Sequence, residues 1–144
     1  MLHGWKSVTN AADYYPYHFD PRPDAARFEP GTPSVVGAAA LGAAVDLLLE
    51  VGPAVVERRI LDLNDRFAAG LRARGADILS PWQPERRSGI LVFRLGDDPD
   101  ALAAGLRAHG VTARVRSGGV RVAPHFYQDE EDVERFFAAL DRAR

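Results

Sequence analysis

The segment that decides the fold is residues 111–123, which read VTARVRSGGVRVA. Its first half, 111–116, alternates apolar and polar residues, which is the period of a half-buried β-strand. The small turn-forming residues 117–119 follow, and a second largely apolar stretch then runs over 120–123. This pattern predicts a β-hairpin whose two-residue loop is Gly118-Gly119.

That loop places two arginines across from each other. With Gly118-Gly119 as the loop, Arg116 lies directly opposite Arg121. Opposed side chains are about 4.5–5.5 Å apart at Cβ, and like charges at that spacing are destabilising. Two interpretations remain open: both guanidinium groups point into solvent, or they bind a carboxylate or phosphate, which the planar arginine fork recognises through paired hydrogen bonds. A three-residue loop would shift the register and remove the pairing.

The residues around the hairpin predict one more strand and two short helices. An apolar run with β-branched residues over 90–95 is typical of a strand. Asp98-Pro99 begins a short helix that Gly110 ends. Asp129 caps a final helix, and its acidic first turn suits the positive end of the helix dipole.

Two helices precede this unit. The first begins at Ser34 and is apolar on most sides, so we expect it to be well buried. Gly52-Pro53 separates it from the second, which has one apolar face. The sum is an α+β fold: two leading helices, then a β-α-β-β-α unit with a small mixed or antiparallel sheet covered by helices on one face.

Residues 1–33 differ from the rest of the chain. They contain an aromatic cluster at 14–19 (YYPYHF) and five of the ten prolines. Proline fixes its own φ and disfavours helix in the residue before it. We therefore predict an extended, aromatic and proline-rich arm over 1–33, followed by an α+β domain over 34–144. The aromatic side chains of the arm need a surface, either on the domain or on a partner.

Composition excludes several classes of function. The net charge of −2 favours neither nucleic acid nor an anionic membrane. The absence of cysteine excludes disulfides, thiolate zinc sites and cysteine nucleophiles. No apolar run approaches the ~20 residues of a membrane span, and no signal-peptide pattern opens the chain. The expected compartment is the cytoplasm.

Several segments taken together resemble class V pyridoxal-phosphate-dependent aminotransferases. They are 27–33 (RFEPGTP), 88–93 (SGILVF) and 120–127 (VRVAPHFY), with the acidic run 129–134 after them and GWKSV at 4–8. The family includes cysteine desulfurases, kynureninase and isopenicillin N epimerase-like proteins. The resemblance implies the small C-terminal domain of a fold-type I pyridoxal-phosphate enzyme.

The resemblance also implies roles for individual residues. Arg121 matches the arginine that binds the substrate α-carboxylate, and Arg116 matches another basic position on the preceding strand. Gly31 and Thr32 match positions that contact the cofactor phosphate of a neighbouring subunit in a dimer. Glycine permits close approach of backbone N–H groups to an anion, and a hydroxyl adds a donor. The same two residues could instead form a turn that caps the following helix.

Other family features are missing or are better explained by packing. His125 and Tyr127 fall in a matched segment, and we expect them to pack beside the sheet. The family uses a lysine that forms a Schiff base with the cofactor; Lys6, the only lysine, matches a segment downstream of that position. Desulfurases use a cysteine before the carboxylate-binding arginine, and its absence here excludes persulfide chemistry.

We therefore expect a fragment or subunit of a pyridoxal-phosphate enzyme that contributes the substrate-carboxylate arginine and a cross-subunit phosphate contact and is inactive alone. Its partners would be an amino-acid-type carboxylate and either a second copy or a large-domain chain, with no nucleic acid or membrane. The alternatives are a free-standing module that binds or senses an anionic metabolite, and the small subunit of a split enzyme.

Overall fold

The computed structural model describes residues 3–15 and 18–144. Two members of the predicted aromatic cluster, Pro16 and Tyr17, lie outside the described residues. The chain divides into two compact units, one up to Leu47 and the other Leu48–Arg144.

The first unit contains two short 3₁₀ turns, Trp5–Ser7 and Ala25–Phe28. The fully buried Ser7 closes the first turn, since its Oγ accepts a hydrogen bond from the Gly4 N–H at 3.1 Å. The Lys6 N–H donates to the Pro30 carbonyl at 3.3 Å, which joins the first turn to the residues that follow the second turn.

Helix α1, Val35–Val51, begins where the sequence predicts, and the Oγ of Ser34 accepts a hydrogen bond from the Gly37 N–H at 3.1 Å at its start. The prediction that this helix is well buried is wrong. None of its residues is buried, and Val36 is 82% exposed. A helix that is apolar on every side is buried only when other residues cover it. No described residue covers α1 in this way.

The second unit contains three helices and four strands: α2 (Pro53–Ala73), β1 (Asp77–Ile78), β2 (Leu91–Arg94), α3 (Pro99–Ala108), β3 (Arg114–Arg116), β4 (Gly119–Val122) and α4 (Glu130–Arg142). All strand pairs are antiparallel, in the order β1-β2-β4-β3. The α+β fold with a small antiparallel sheet is therefore confirmed. Strand β1 was not predicted, because two residues are too few to show a hydrophobic period.

The predicted start and end signals of the short helices are confirmed. Asp98 caps α3 by accepting hydrogen bonds from two backbone N–H groups, and Asp129 caps α4 in a capping box with Asp132. Gly110 ends α3 as predicted, with φ of 81°, a backbone conformation that glycine adopts without strain; Gly75 does the same after the longer helix α2, with φ of 78°.

The core lies between one face of the sheet and the helices. Phe93 and Val120 are fully buried in the sheet, and the rings of Phe67 and Phe136 meet edge to face at 4.9 Å beneath it. Further buried members come from all three helices, namely Leu63, Leu71, Leu102, Leu106 and Leu140. Burying such side chains stabilises a domain by about 1.5–3 kcal/mol each.

Among the described residues, no single helix is both long and apolar enough to cross a membrane, although the consecutive helices α1 and α2 pass that test of length and composition together.

Candidate carboxylate-binding face

The hairpin turn differs from the predicted one and sets a different register. The two loop residues are Ser117 and Gly118, with φ of 51° and 75°. Positive φ at both central residues is the pattern of a type I′ turn, whose twist matches that of the flanking strands. Gly119 therefore belongs to β4, where it pairs with Arg116.

The predicted pairing of Arg116 with Arg121 is therefore wrong. The residue opposite Arg121 is Arg114. Residues two apart on a strand share a face, so Arg116 still lies on the same face as Arg121 but diagonal to it. The sequence contained a signal for this register, because Ser-Gly is an acceptable type I′ pair and leaves the second glycine free to enter the strand.

The sheet has one packed face and one open face. Leu91, Phe93, Val120 and Val122 alternate onto the packed face and are all buried. The residues between them lie on the open face, together with Arg114 and Arg116 of β3. We call this surface, made of the outward residues of all four strands, the open face.

The first row across the open face is partly apolar and partly basic. Val92 lies opposite Arg121, which in turn lies opposite Arg114. Leu79 extends the row beyond β1, with its N–H donating to the Val92 carbonyl at 2.8 Å. Arg121 is half-buried at the middle of this row, and Arg114 is exposed at its end.

The second row contains a gap. Asp77 lies opposite Arg94, and Gly119 lies opposite Arg116. Gly119 is buried although it has no side chain; a Cβ there would lie 2.5 Å from the Phe93 carbonyl oxygen and 3.0 Å from Leu79 Cδ1. The close approach of the two strands thus requires glycine and leaves no side chain between Arg94 and Arg116.

The charges on the open face are unbalanced. Arg94 donates a hydrogen bond to Asp77 at 3.0 Å and is neutralised by it. Among the described residues, Arg114, Arg116 and Arg121 form no salt bridge, and Arg116 donates only to the neighbouring Val115 carbonyl at 3.2 Å. Three arginines without a carboxylate partner share one surface, which is an arrangement suited to binding an anion.

The predicted cofactor contacts lie in the first unit. Gly31 is half-buried next to the Trp5 indole, and Thr32 is exposed. The cap of α1 is provided by Ser34, so the Thr32 hydroxyl is not used for that purpose. A glycine followed by an exposed hydroxyl fits one edge of a phosphate group, and these two residues are the ones that could hold it.

Lys6 and the segment after β4 both contact aromatic rings, but the prediction that Tyr127 packs beside the sheet is wrong, because 75% of its surface is exposed. The Lys6 ammonium lies 5.5 Å from the centre of the Trp5 ring. The His125 ring stacks on that of Tyr127 at 4.8 Å, and the His125 N–H donates to the Gln128 side chain at 2.8 Å.

Within the described ranges no cluster of acidic, histidine and cysteine side chains could hold a metal ion.

Ion pairs attach α4 to α2. Glu130 at the start of α4 accepts a hydrogen bond from Arg59, and Arg66 lies 3.2 Å away. The hydrogen bond from Arg59 is the main reason that the pKa of the Glu130 carboxyl lies below its ordinary value. These contacts join two helices of the layer on the other side of the sheet and do not face the open face.

The sequence of the chain is similar to a known family and to known proteins. The model of a family described as the kynureninase C-terminal domain matches residues 56–140. A probable cysteine desulfurase of Pseudomonas aeruginosa is 38% identical over 127 residues, which cover 81% of this chain and 32% of that protein. An isopenicillin N epimerase of Streptomyces clavuligerus is 33% identical over 105 residues, which cover 67% of this chain and 26% of that protein.

Solved structures share the fold. The apo cysteine desulfurase of Thermococcus onnurineus superposes with a TM-score of 0.75 at 25% identity, over 97% of this chain and 38% of that one. The cysteine desulfurase of Escherichia coli gives a TM-score of 0.70 at 22% identity, over 99% and 38%. The chain thus spans about a third of the length of these relatives. It belongs to the family of the kynureninase C-terminal domain, and its sequence and fold match the C-terminal portion of a class V aminotransferase.

Proposed function

We propose that this chain provides the substrate-carboxylate arginine of a pyridoxal-phosphate-dependent enzyme that acts on an amino acid. The observation that carries the proposal is the position of Arg121, half-buried in the middle of the open face without a carboxylate partner among the described residues. The planar fork of arginine binds a carboxylate through two parallel hydrogen bonds, and half-burial of Arg121 reduces the side-chain freedom that binding would cost.

The neighbouring residues would assist Arg121 in different ways. Arg116 adds positive charge diagonally across the hairpin, which raises the local concentration of anions. Val92 lies opposite Arg121 with Leu79 beyond it, so this side of the row is apolar, and fewer water molecules there would strengthen the hydrogen bonds of the guanidinium. Arg121 would orient the amino acid by its carboxylate.

Gly31 and Thr32 would contact the cofactor phosphate across a dimer interface, through the glycine backbone N–H and the threonine hydroxyl. The cofactor, when bound, supplies an electron sink for bond cleavage at the amino-acid carbon. One structural neighbour supports pyridoxal phosphate as the cofactor, since a solved form of the lyase named C-DES carries glycine covalently linked to it.

The isolated chain would be inactive. Its only lysine is Lys6, and the ammonium of that residue lies over the Trp5 ring. Incubation with pyridoxal phosphate, borohydride reduction and peptide mapping test this. We expect no single modified site and no turnover of amino acids; a unique adduct with turnover would contradict the proposal.

Binding of a simple monocarboxylate tests the role of Arg121. Butyrate titrated into the chain at fixed ionic strength and followed by NMR chemical shifts should bind weakly at the open face. Arg121→Gln should lower its affinity about tenfold or more, because hydrogen bonds to charged groups contribute about 1.5–3 kcal/mol. Arg121→Lys keeps the positive charge but lacks the planar fork of arginine. Its affinity for butyrate should therefore lie between that of the parent chain and that of Arg121→Gln.

Arg107→Gln is the matched control, since Arg107 is an exposed arginine in the last turn of α3 and not on the sheet. It should leave butyrate binding unchanged. If Arg121→Gln binds butyrate as tightly as the parent chain does, Arg121 is not the carboxylate residue.

A second candidate function is that of a small subunit which completes a split enzyme, and the exposed helix α1 favours it. Large apolar residues with more than half of their surface exposed, such as Val35, Leu41 and Leu49, lie along this helix. Such a surface is typical of an interface with another chain. Light scattering over a range of concentrations tests for self-association, and co-purification with a large-domain chain tests for the split enzyme.

A third candidate is a free-standing module that binds or senses an anionic metabolite, and it is favoured by the three arginines on the open face that have no carboxylate partner in the described part of the chain. An anion that raises the melting temperature of the chain, without any pyridoxal phosphate, would support this candidate over an incomplete enzyme.

A further inference from the structure

The open face contains more positive charge than one carboxylate requires. Arg114 lies directly opposite Arg121, at a Cβ spacing of about 4.5–5.5 Å for opposed residues. Like charges at that spacing destabilise a hairpin unless both guanidinium groups reach into solvent or an anion lies between them, and the half-burial of Arg121 favours the anion. One α-carboxylate bound to Arg121 neutralises one guanidinium group and leaves Arg114 without a counter-ion.

The surroundings of Arg114 do not relieve this. It is exposed, and no described carboxylate lies within salt-bridge distance of it. The nearest pair on the sheet, Asp77 with Arg94, is already neutral and lies in the other row. Among residues 3–15 and 18–144, Arg114 thus has no salt-bridge partner that would explain an arginine at this position.

The row itself offers two directions for the rest of a ligand held on Arg121. Towards β1 the row is apolar, with Leu79 and Val92. Towards β3 it ends in Arg114. An aliphatic ligand side chain would suit the first direction and leave two arginines without a counter-ion, whereas an acidic side chain would suit the second and neutralise Arg114.

We propose that Arg114 is a specificity-determining residue that binds a second acidic group, so that the preferred ligand of this face is a dicarboxylate, and the substrate class an amino acid with an acidic side chain. This inference rests on the proposed function of Arg121. It assigns the α-carboxylate to Arg121 and the side-chain carboxylate to Arg114.

Succinate and butyrate provide the test, because both have four carbons and differ by one carboxylate. Each is titrated into the 144-residue chain at fixed ionic strength, with chemical shifts of backbone amides as the readout. We expect succinate to bind about tenfold more tightly than butyrate, the usual effect of one further charge-assisted hydrogen-bonded pair. Arg114→Gln should remove this preference, while it lowers butyrate affinity only by the small amount that the loss of one nearby positive charge causes.

The outcomes separate the two proposals. Loss of butyrate and succinate binding in Arg121→Gln, with the preference intact in Arg114→Gln, would overturn the role of Arg114 and keep that of Arg121. Unchanged binding in Arg121→Gln would overturn the proposed function itself.

Two further results would also overturn the inference. If butyrate binds as tightly as succinate, the ligand extends over Leu79 and Val92 and not towards Arg114. If Arg116→Gln and not Arg114→Gln removes the preference, the second carboxylate goes to the diagonal arginine. Circular dichroism of each variant verifies that the fold is retained, and Arg107→Gln should behave as the parent chain does with both ligands.

Discussion

Arg74 and Asp141 form a two-pronged ion pair that joins the end of α2 to the end of α4. Arg74 Nε donates to Asp141 Oδ1 at 2.7 Å, and Nη2 donates to Oδ2 at 2.8 Å. The Arg74 guanidinium also lies 4.4 Å from the centre of the Phe137 ring and donates to the Gly70 carbonyl. These hydrogen bonds from Arg74 are the main cause that lowers the pKa of the Asp141 carboxyl below its ordinary value.

Asp141→Asn should therefore reduce the dependence of stability on pH. A carboxyl whose pKa is lower in the folded state stabilises the fold above its ordinary pKa, and this contribution disappears as the pH falls through the folded-state pKa. We expect the variant to be less stable than the parent at neutral pH and the difference to shrink in acid. Urea unfolding followed by circular dichroism at several pH values measures this.

Glu134→Gln is the control for Asp141→Asn, since Glu134 is an exposed acidic residue of the same helix. It should change stability less at neutral pH. An Asp141→Asn chain that stays less stable by the same margin from neutral to acid pH would contradict the linkage argument.

Asp129→Ala should destabilise the second unit by about 1 kcal/mol, within a range of roughly 0.5–2. The Asp129 carboxylate accepts a hydrogen bond from the Asp132 N–H at 3.0 Å, and the Asp132 carboxylate accepts one from the Asp129 N–H at 3.2 Å. Asp129→Ser keeps a capping oxygen and should recover most of the loss. Equal stability of the alanine and serine variants in urea unfolding would show that the cap does not contribute.

Ser117→Asn should stabilise the hairpin. Ser117 is the one non-glycine residue with positive φ among residues 3–15 and 18–144, at 51°. Asparagine tolerates this conformation better than serine, and Asn-Gly is the preferred type I′ pair. We expect a gain of less than about 1 kcal/mol. Ser117→Val, which is β-branched, should have the opposite effect on the urea midpoint; a gain for valine would contradict the assigned turn.

Gly119→Ala should destabilise the sheet by about 1–3 kcal/mol, the usual cost of overpacking. The added Cβ would lie 2.5 Å from the Phe93 carbonyl oxygen, which is backbone and cannot rotate away. Gly75→Ala meets no atom within 4 Å but has φ of 78°, so its cost is only that of the backbone conformation. Hydrogen exchange should show faster opening of β2 and β4 in Gly119→Ala alone; unchanged protection would contradict the close strand contact.

The helices and the fold class were predictable because their signals are local. Asp98, Asp129 and Gly52-Pro53 mark helix ends through chemistry that acts within one turn of the chain, and the structure confirms each of them. The burial of α1 was not predictable, because it depends on which surface covers the helix and not on the helix itself. The same apolar pattern fits a core helix and an interface helix.

The candidate site was predictable in part. The hairpin, and the placement of Arg116 and Arg121 on one face of it, follow from alternation and are present in the structure. The partner of Arg121 was not found, because the sequence SGG permits two loops that differ by one residue. The choice depends on the close contact of Gly119 with β2, a long-range interaction that no local pattern records.

The two-residue turn at Ser117 and Gly118 also decides which face of the sheet carries the arginines. Strand β4 is fixed by its pairing with β2, so a turn that took in Gly119 as a third residue would shift β3 by one residue against β4. Arg116 would then lie opposite Val120, which would turn Arg114 and Arg116 towards the helices and bring Val115 to the surface. The outward charge of this hairpin thus depends on the parity of its register, which is kept because Gly119 belongs to the strand and not to the turn.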